Sequence, residues 1–156
     1  MERCAGEKLV PATASMSSVL ANYTAENCID GNEGGEICHT RKEAAPWLAL
    51  DYGSEVKVSS VVLINRIRGD VGAARTKNVN IRVSSTPPVS GSEMFTGGQL
   101  LGTFEGPGTQ GQRIEVTSDT ELTGRYVVVQ MDHTSGAEPI NLHEVTSWGQ
   151  GKTCDY

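Results

Sequence analysis

The sequence is poor in aromatic residues, with 2 Trp, 2 Phe and 4 Tyr among 156 residues. It contains no apolar run near the roughly 20 residues that a membrane-spanning helix requires, and no heptad or amphipathic helical pattern runs along it. Because the chain has 18 Gly, we expect many turns and a core made mainly of aliphatic side chains. These absences give no sequence basis for a coiled coil or a membrane-spanning helix.

The chain also lacks an excess of basic residues, since 13 Lys and Arg stand against 19 Asp and Glu, for a net charge of −6. A nucleic-acid partner is therefore disfavoured, because phosphate binding normally uses a basic surface. No nucleophile elbow, His-rich metal triad or motif-placed pair of carboxylates is present, so we do not expect an enzyme. No apolar stretch follows Met1, and we expect any secretion signal to be missing from this sequence.

The four cysteines form no Cys-x-x-Cys pair, which argues against a structural zinc site. Three pairings are open to them. Cys4 and Cys154 lie near the two ends of the chain, which are often neighbours in a folded domain, and Cys28 and Cys38 bracket a short polar loop. We therefore predict the disulfides Cys4–Cys154 and Cys28–Cys38 and a secreted or extracellular location. Four reduced thiols in a cytosolic protein are the alternative.

Short segments rich in β-forming residues recur along the chain, separated by stretches of Gly, Pro, Ser and Thr. In residues 78–83 apolar and polar residues alternate strictly, which is typical of a strand with one buried face. One short helical turn is expected within residues 9–27. We predict a single domain over residues 1–156 that forms an all-β sandwich or barrel. Its predicted strands are 47–51, 56–64, 79–84, 112–117, 126–131 and 140–148.

One imidazole and several guanidinium groups gather on expected loops, namely His39 and the run from Arg66 to Arg75, which contains Asp70. Sugar hydroxyls both donate and accept hydrogen bonds, so a sugar site needs fixed donors, and a guanidinium supplies a rigid fork of them. Neutral His39 can donate from one ring nitrogen while the other anchors the ring. An ionised Asp70 cannot donate, and we expect it to orient an arginine through a charged pair. The set indicates a binding site for a hydroxyl-rich or anionic ligand rather than a reaction centre.

Five segments, in order along nearly the whole chain, resemble a discoidin-type domain and, more narrowly, the fucose-binding F-type lectins. The resemblance implies an eight-stranded jelly-roll β-sandwich with its sugar site in loops at one end. The segments are Cys28-Ile29-Asp30-Gly31-Asn32, Cys38-His39-Thr40, Pro46-Trp47-Leu48-Ala49-Leu50-Asp51-Tyr52-Gly53, Gly124-Arg125-Tyr126-Val127-Val128-Val129 and Ile140-Asn141-Leu142-His143-Glu144-Val145.

The resemblance implies that His39 and two arginines hydrogen-bond the ring oxygen and hydroxyls of L-fucose. Counted from His39, the family spacing selects Arg66 as the first arginine. The downstream pattern, Arg-x-Asp followed by four residues and Arg, selects Arg68, Asp70 and Arg75 instead. The loop has gained two residues relative to the family, so Arg66 and Arg68 remain alternatives for one role.

Two further expectations rest on the same resemblance. Val71 stands where many relatives have a cysteine pair beneath the methyl group of the sugar, and we expect it to replace part of that surface. Where relatives often have a partner for the cysteine beside the histidine, this chain has His143, which supports pairing Cys28 with Cys38.

A structural calcium ion is also implied by the resemblance, with the role of stiffening the loop that carries His39. A hard cation that takes roughly six to eight oxygen ligands suits this acidic, glycine-containing loop. An Asx-rich turn held by its own side chains is the alternative. The implied calcium ligands, several of them through backbone carbonyls, are Asn27, Asp30, Asn32, Glu36 and Glu144.

The leading hypothesis is a calcium-containing lectin for terminal L-fucose on fucosylated glycans or glycoproteins, acting in cell recognition. Avidity would come from a homo-oligomer or a tandem-domain parent. The alternative is a non-lectin discoidin module that binds protein or membrane lipid in cell adhesion. Lipid binders present exposed apolar side chains on loops, and only Met94-Phe95 fits that description here, so membrane lipid is the less favoured partner. A third hypothesis is the sugar-binding part of a larger enzyme or adhesin.

Overall fold

The structure is a computed structural model that describes residues 6–89, 93–133 and 136–151. These residues form eight β-strands and two short helical segments. A 3₁₀ turn, Ala25–Cys28, precedes β3, and a short helix α1, Asp70–Ala74, follows β4. The strands are β1 Glu7–Leu9, β2 Thr13–Met16, β3 Cys38–His39, β4 Trp47–Asn65, β5 Val79–Ser84, β6 Gln99–Phe104, β7 Arg113–Met131 and β8 Asn141–Gln150.

The strands pack as an antiparallel sandwich, which confirms the predicted all-β fold of eight strands. One layer contains β2, the start of β4, the end of β7, β5 and β6. The other layer contains β1, β8, the end of β4 and the start of β7, and β3 pairs with the first residues of β8. Because β4 and β7 run through both layers, one hydrogen-bonded path, β1-β8-β4-β7-β5-β6, links the whole sandwich.

The long strand β4 unites two segments that the sequence predicts as separate strands. Gly53 lies between them with φ +77°, a conformation that L side chains rarely adopt. Its backbone N–H donates to Asp51 Oδ1 at 2.7 Å, and the register with β7 shifts between Asp51 and Val56. Such a local irregularity bends a strand while pairing continues on both sides. The predicted strands 112–117 and 126–131 likewise join within β7.

Alternate side chains of the strands fill the space between the two layers. In β5, Val79, Ile81 and Val83 are buried whereas Asn80 and Arg82 are only half-buried, as the alternating pattern predicts. The core is aliphatic, as the composition indicates, and it fixes the strand ends that carry the loops described below. Fully buried members from both layers include Leu48, Leu50, Val61, Leu63, Val127, Val129 and Leu142.

A disulfide links Cys28 to Cys38 with a Cα–Cα distance of 5.5 Å, which confirms that predicted pairing. It joins the 3₁₀ turn to β3, and both half-cystines are fully buried. The predicted Cys4–Cys154 pair lies outside the described residues. The helical turn expected within residues 9–27 is the 3₁₀ turn, which ends one residue later than predicted. None of the helices in the described ranges is long and apolar enough to cross a membrane.

Candidate functional site

Three strand ends meet at one end of the sandwich and carry the predicted rim residues. His39 ends β3 and pairs with Asn141 at the start of β8. β4 ends at Asn65, which pairs with Leu142, the next residue of β8. Arg66 follows Asn65 directly, so the strand pairing alone brings Arg66 to the same end of the sandwich as His39.

The side chain of Asn65 anchors the loop that carries the arginines. Its Nδ2 donates to the backbone oxygens of Ala73 and Thr109, both at 2.9 Å, and its Oδ1 accepts from Thr76 Oγ1 at 2.7 Å. Asn65 is fully buried, and these bonds satisfy an amide that would otherwise be costly to bury. The end of β4 is thereby tied to α1, which holds the intervening loop in place.

Arg66 folds back over its own loop. Its Nε donates to the backbone oxygen of Arg68 at 2.8 Å. The Arg66 side chain lies against Gly72. A Cβ at position 72 would lie 2.9 Å from Nε and 3.1 Å from Cζ of Arg66, which is too close. The absence of a side chain at Gly72 therefore sets where the guanidinium lies.

Arg75 is held by residues that are distant in the sequence. Its Nε lies 3.5 Å from Glu138 Oε2, and its Nη1 donates to Asn141 Oδ1 at 3.5 Å. Asn141 is fully buried, and its Nδ2 has no hydrogen-bond partner. Because Asn141 pairs with His39 across the β3–β8 ladder, this contact brings Arg75 beside His39.

His39 is buried and neutral at physiological pH. Burial lowers its pKa below 6.5; a hydrogen bond with the backbone of Thr40 opposes this, and the charges of Arg66 and Arg75 lower the pKa further. Nδ1 lies 2.6 Å from the backbone oxygen of Thr40, and a carbonyl oxygen can only accept. Nδ1 therefore carries the proton, and Nε2 of the neutral ring is an acceptor. The neutral ring thus offers a sugar an acceptor, whereas the sequence led us to expect a donor, because the one ring proton is used on Thr40.

The two alternative arginines occupy different positions. Arg66 and Arg75 both affect the pKa of His39, whereas Arg68 does not. Burial is the main cause of the lowered pKa of His143, and Arg66 and Arg68 lower it further. We call His39, Arg66 and Arg75 the basic trio. Arg66 acts on both histidines, whereas Arg68 acts on His143 and not on His39.

The partner of the Asp70 carboxylate differs from the prediction. It begins α1, is exposed, and accepts a hydrogen bond from Gln110 Nε2. Among the ion pairs of the described residues none joins Asp70 to an arginine, and the carboxylate beside Arg75 is that of Glu138. Gly69, with φ +85°, turns the chain just before the helix, so that Asp70 meets the loop containing Gln110 instead of a guanidinium.

Apolar side chains also lie on the arginine loop. Val71 is 78% exposed and Ile67 is 44% exposed, so the apolar surface expected at Val71 is available to a ligand. Met94 and Phe95 are half-buried, and Phe95 packs against the small cluster that contains Trp47. The Met94-Phe95 pair is therefore not the projecting apolar element that lipid binding would require.

Two of the predicted calcium ligands lie side by side. Glu144 is 3% exposed, its Oε2 accepts the backbone N–H of Gly31 at 2.9 Å, and its Oε1 is buried without a partner. Burial raises the pKa of Glu144 to about 7, and the neighbouring Asp30 contributes to the rise. A buried carboxylate oxygen without a partner, next to a second carboxylate, is an arrangement that a hard cation would stabilise.

The remaining predicted ligands lie in the same loop but are engaged locally. Asn32 donates its backbone N–H to Asp30 Oδ1 at 2.9 Å, and its Oδ1 accepts from Gly34 at 3.1 Å. Asn27 Nδ2 donates to the Ile37 oxygen at 3.1 Å. No group of three or more His, Cys, Asp or Glu side chains gathers within the described parts of the chain. A cation here would thus need amide and backbone oxygens besides the carboxylates of Asp30 and Glu144.

A cleft of about 660 Å³ separates this acidic loop from the arginine loop. We call it the arginine cleft, and its volume is within the range of small-ligand sites. Tyr23 lines it, and the rings of Tyr23 and His39 have centroids 6.1 Å apart, so the cleft adjoins the basic trio. Its walls are Asn27, Asp30, Asn32 and Glu36 on the acidic loop and Arg66, Ile67 and Arg68 on the other, and His143 also lines it.

Four residues that shape the site are absent from the sequence-based set. Asn141 lies in a segment that carries the family resemblance, and its position opposite His39 could have been inferred from strand pairing. Gly72 could have been flagged only as a small residue within the loop. Neither Glu138 nor Tyr23 has a sequence signal for its role, because each acts through contacts that only the folded chain creates.

Known proteins share both sequence and fold with this chain. The F5/8 type C domain family matches residues 11–145. Fucolectin-6 of Anguilla japonica is 30% identical over 126 residues, which are 78% of this chain and 61% of that protein. The chain thus spans less than two thirds of that relative. The similar proteins are lectins and carbohydrate-binding modules, which agrees with the expectation of a binding domain.

Two solved structures share the fold. The fucolectin from the serum of striped bass, Morone saxatilis, has a TM-score of 0.78 at 24% identity, covering 94% of this chain and 49% of that one. The lectin domain of lectinolysin, solved in complex with the Lewis B antigen, has a TM-score of 0.71 at 24% identity, with coverages of 93% and 98%. At these identities the structures show a common fold.

Proposed function

Because this chain belongs to the F5/8 type C domain family, we propose that it is a carbohydrate-binding lectin domain for terminal L-fucose on fucosylated glycans. The names of the similar proteins support a sugar ligand, since two are fucolectins and a third was solved with a Lewis antigen. The observation that carries the proposal is that strand pairing brings His39 and Arg66 to one end of the sandwich, where Arg75 donates to Asn141, the pairing partner of His39.

The trio offers complementary hydrogen-bonding groups to a sugar. The guanidinium groups of Arg66 and Arg75 are donors, and Nε2 of neutral His39 is an acceptor for a sugar hydroxyl. Glu138 and Asn141 hold Arg75, while Arg68 O and Gly72 position Arg66. Preorganised donors and acceptors lose less entropy on binding, which favours recognition of a small polar ligand.

Arg66 takes the role of the first sugar-binding arginine in this proposal. Its charge acts on His39, as that of Arg75 does, whereas Arg68 acts on His143 alone of these two histidines, which supports Arg66 over Arg68. Val71 contributes exposed apolar surface on the loop between Arg66 and Arg75, where the methyl group of L-fucose would make contact. Asp70 supports the loop through Gln110 rather than by contact with the sugar.

The proposal includes a structural calcium ion in the acidic loop. Glu144 and Asp30 would bind it through their carboxylates, with Asn27, Asn32 and Glu36 supplying further oxygens, several from the backbone. The partnerless Oε1 of Glu144 supports this assignment. Bound calcium would supply fixed positive charge that stiffens the loop leading to Cys38 and His39.

We further propose an extracellular location, a single domain over residues 1–156, and avidity gained from oligomers or tandem copies. The buried disulfide between Cys28 and Cys38 supports an oxidising compartment. A shallow rim site gives weak affinity for one sugar, and linked sites compensate through effective concentration.

The test is an NMR titration of the chain in excess calcium with L-fucose, and with D-fucose as a control of identical composition. We expect L-fucose to move the backbone signals of His39 and Arg75 saturably and D-fucose to leave them in place. Arg75→Gln should weaken L-fucose binding about tenfold or more, because a charged hydrogen-bond donor is lost. Arg125→Gln, at a guanidinium paired with Asp51, should bind like the wild type. Unmoved signals at millimolar L-fucose would overturn the proposal.

A further inference from the structure

We propose that the arginine cleft binds a sulfate or carboxylate group on the sugar that neighbours fucose. This inference rests on the proposed fucose site. The ligand class of this protein is then an acidic fucosylated glycan. The proposal assigns a role to Arg68, which lies outside the basic trio.

The cleft and the basic trio share Arg66. This side chain lines the cleft together with Tyr23, whose ring centroid lies 6.1 Å from that of His39, and its charge also acts on His39. A glycan whose fucose contacts the trio can therefore extend past Arg66 without leaving the protein surface. The cleft, at about 660 Å³, has room for a monosaccharide together with its anionic group.

The guanidinium of Arg68 has no hydrogen bond or ion pair in residues 6–89, 93–133 and 136–151. Every other arginine in these ranges has one. Arg75, Arg113 and Arg125 lie beside carboxylates, and the others donate to backbone oxygens, namely Arg41, Arg66 and Arg82. The chain has a net charge of −6, yet Arg68 has no carboxylate beside it. Because Arg68 also lines the cleft, its guanidinium is available for an external anion.

Arg66 and Arg68 form a pair of like charges on one wall of the cleft. Their terminal nitrogens are donors, and a planar guanidinium matches the oxygens of a sulfate or carboxylate. The opposite wall carries Asp30 and Glu36, so a bound anion is directed to the arginine wall. Asp30 already accepts the backbone N–H of Asn32, and calcium bound in that loop would offset both carboxylates.

The test uses calorimetric titrations of the whole chain, in excess calcium at low salt, with three forms of one fucosylated trisaccharide. The forms carry a neutral galactose, a sulfated galactose or a galacturonic acid next to fucose, and sodium sulfate alone is a fourth ligand. We expect the wild type to bind at least one acidic form about fivefold more tightly than the neutral form, the upper end for a single exposed ion pair. The preference should shrink at high salt because of screening.

Arg68→Gln isolates the cleft from the fucose site. We expect this variant to bind the neutral trisaccharide as the wild type does and to lose the preference for the acidic form. Arg125→Gln removes the same charge at a guanidinium that pairs with Asp51, and it should keep the preference.

Each result has one meaning. Equal affinities of the neutral and acidic forms for the wild type would overturn the cleft proposal and leave the fucose site standing. Retention of the preference by Arg68→Gln, or binding of sulfate alone as tightly as the acidic glycan, would also overturn it. Failure of every trisaccharide to bind would overturn the fucose site and the cleft proposal together.

Discussion

Replacing Glu144 with Gln should stabilise the calcium-free protein and abolish its response to calcium. Burial and Asp30 raise the pKa of Glu144 from 4.5 to about 7, so ionising this carboxyl opposes folding. A raised pKa gives stability that is fully present below pH 4.5 and is lost as the pH rises through 7. Above pH 7 this difference between the folded and unfolded pKa of Glu144 lowers the free energy of unfolding by up to about 3 kcal/mol. Relaxation of the folded chain reduces the loss.

Calcium should reverse this penalty, because the ionised carboxylate then has the counter-charge that it lacks. At a free calcium concentration about 100 times Kd, linkage adds about 2.7 kcal/mol of stability. The assay is urea denaturation at pH 8 of the wild type and Glu144→Gln, each in chelator and in calcium. We expect the variant to be more stable than the wild type in chelator and insensitive to calcium.

Glu105→Gln is the matched control, since it removes an exposed carboxylate and should respond to calcium as the wild type does. A Glu144→Gln variant that gains as much stability from calcium as the wild type would refute the assignment of Glu144 as a ligand. A variant less stable than the wild type in chelator at pH 8 would refute the argument from its pKa.

Three further predictions concern the basic trio. Gly72→Ala should displace the Arg66 guanidinium and weaken L-fucose binding several-fold in calorimetry with little change in melting temperature, because a Cβ would lie 2.9 Å from Arg66 Nε. Glu138→Gln should weaken binding about two- to fivefold through loss of the charge beside Arg75, and Glu138→Asp should restore part of it. Affinity should be constant above pH 6.5 and fall below it, because protonating His39, whose pKa is lowered, removes the Nε2 acceptor. In His39→Gln this pH dependence should be absent when binding is measured in saturating calcium.

The strands were predictable where one face of the chain is buried. The strict alternation in β5 and the valine-rich stretches of β4 and β7 indicate strands with buried faces, because the local sequence has to agree with the core that the strands form. The joining of two predicted segments at Gly53 was not predictable, because a turn residue between two apolar runs looks the same whether the chain reverses or bends through a bulge. Four strands escaped prediction. β1, β2 and β3 have two to four residues, too few to show a period, and the sequence of β6 does not alternate between apolar and polar residues.

The site was predictable as a set of residue types but not as an arrangement. Spacing from His39 and spacing from Arg75 select different arginines, and a two-residue insertion cannot be assigned from one sequence. Gly72 leaves room for the Arg66 side chain, and this supports the proposal that Arg66 rather than Arg68 takes the role. Asp70 was predicted to orient an arginine, but the carboxylate beside Arg75 is that of Glu138, because a charged pair depends on which loops meet in space.

In the proposed fucose site, Arg66 acts together with His39 and Arg75. The decisive measurement is a calorimetric titration of L-fucose into Arg66→Ala and Arg68→Ala, compared side by side in calcium. We expect Arg66→Ala to bind L-fucose at least tenfold more weakly than the wild type, because the site loses a charged donor. Arg68→Ala should bind within about twofold of the wild type. Strong binding by Arg66→Ala together with loss of binding by Arg68→Ala would show that Arg68, not Arg66, belongs to the fucose site.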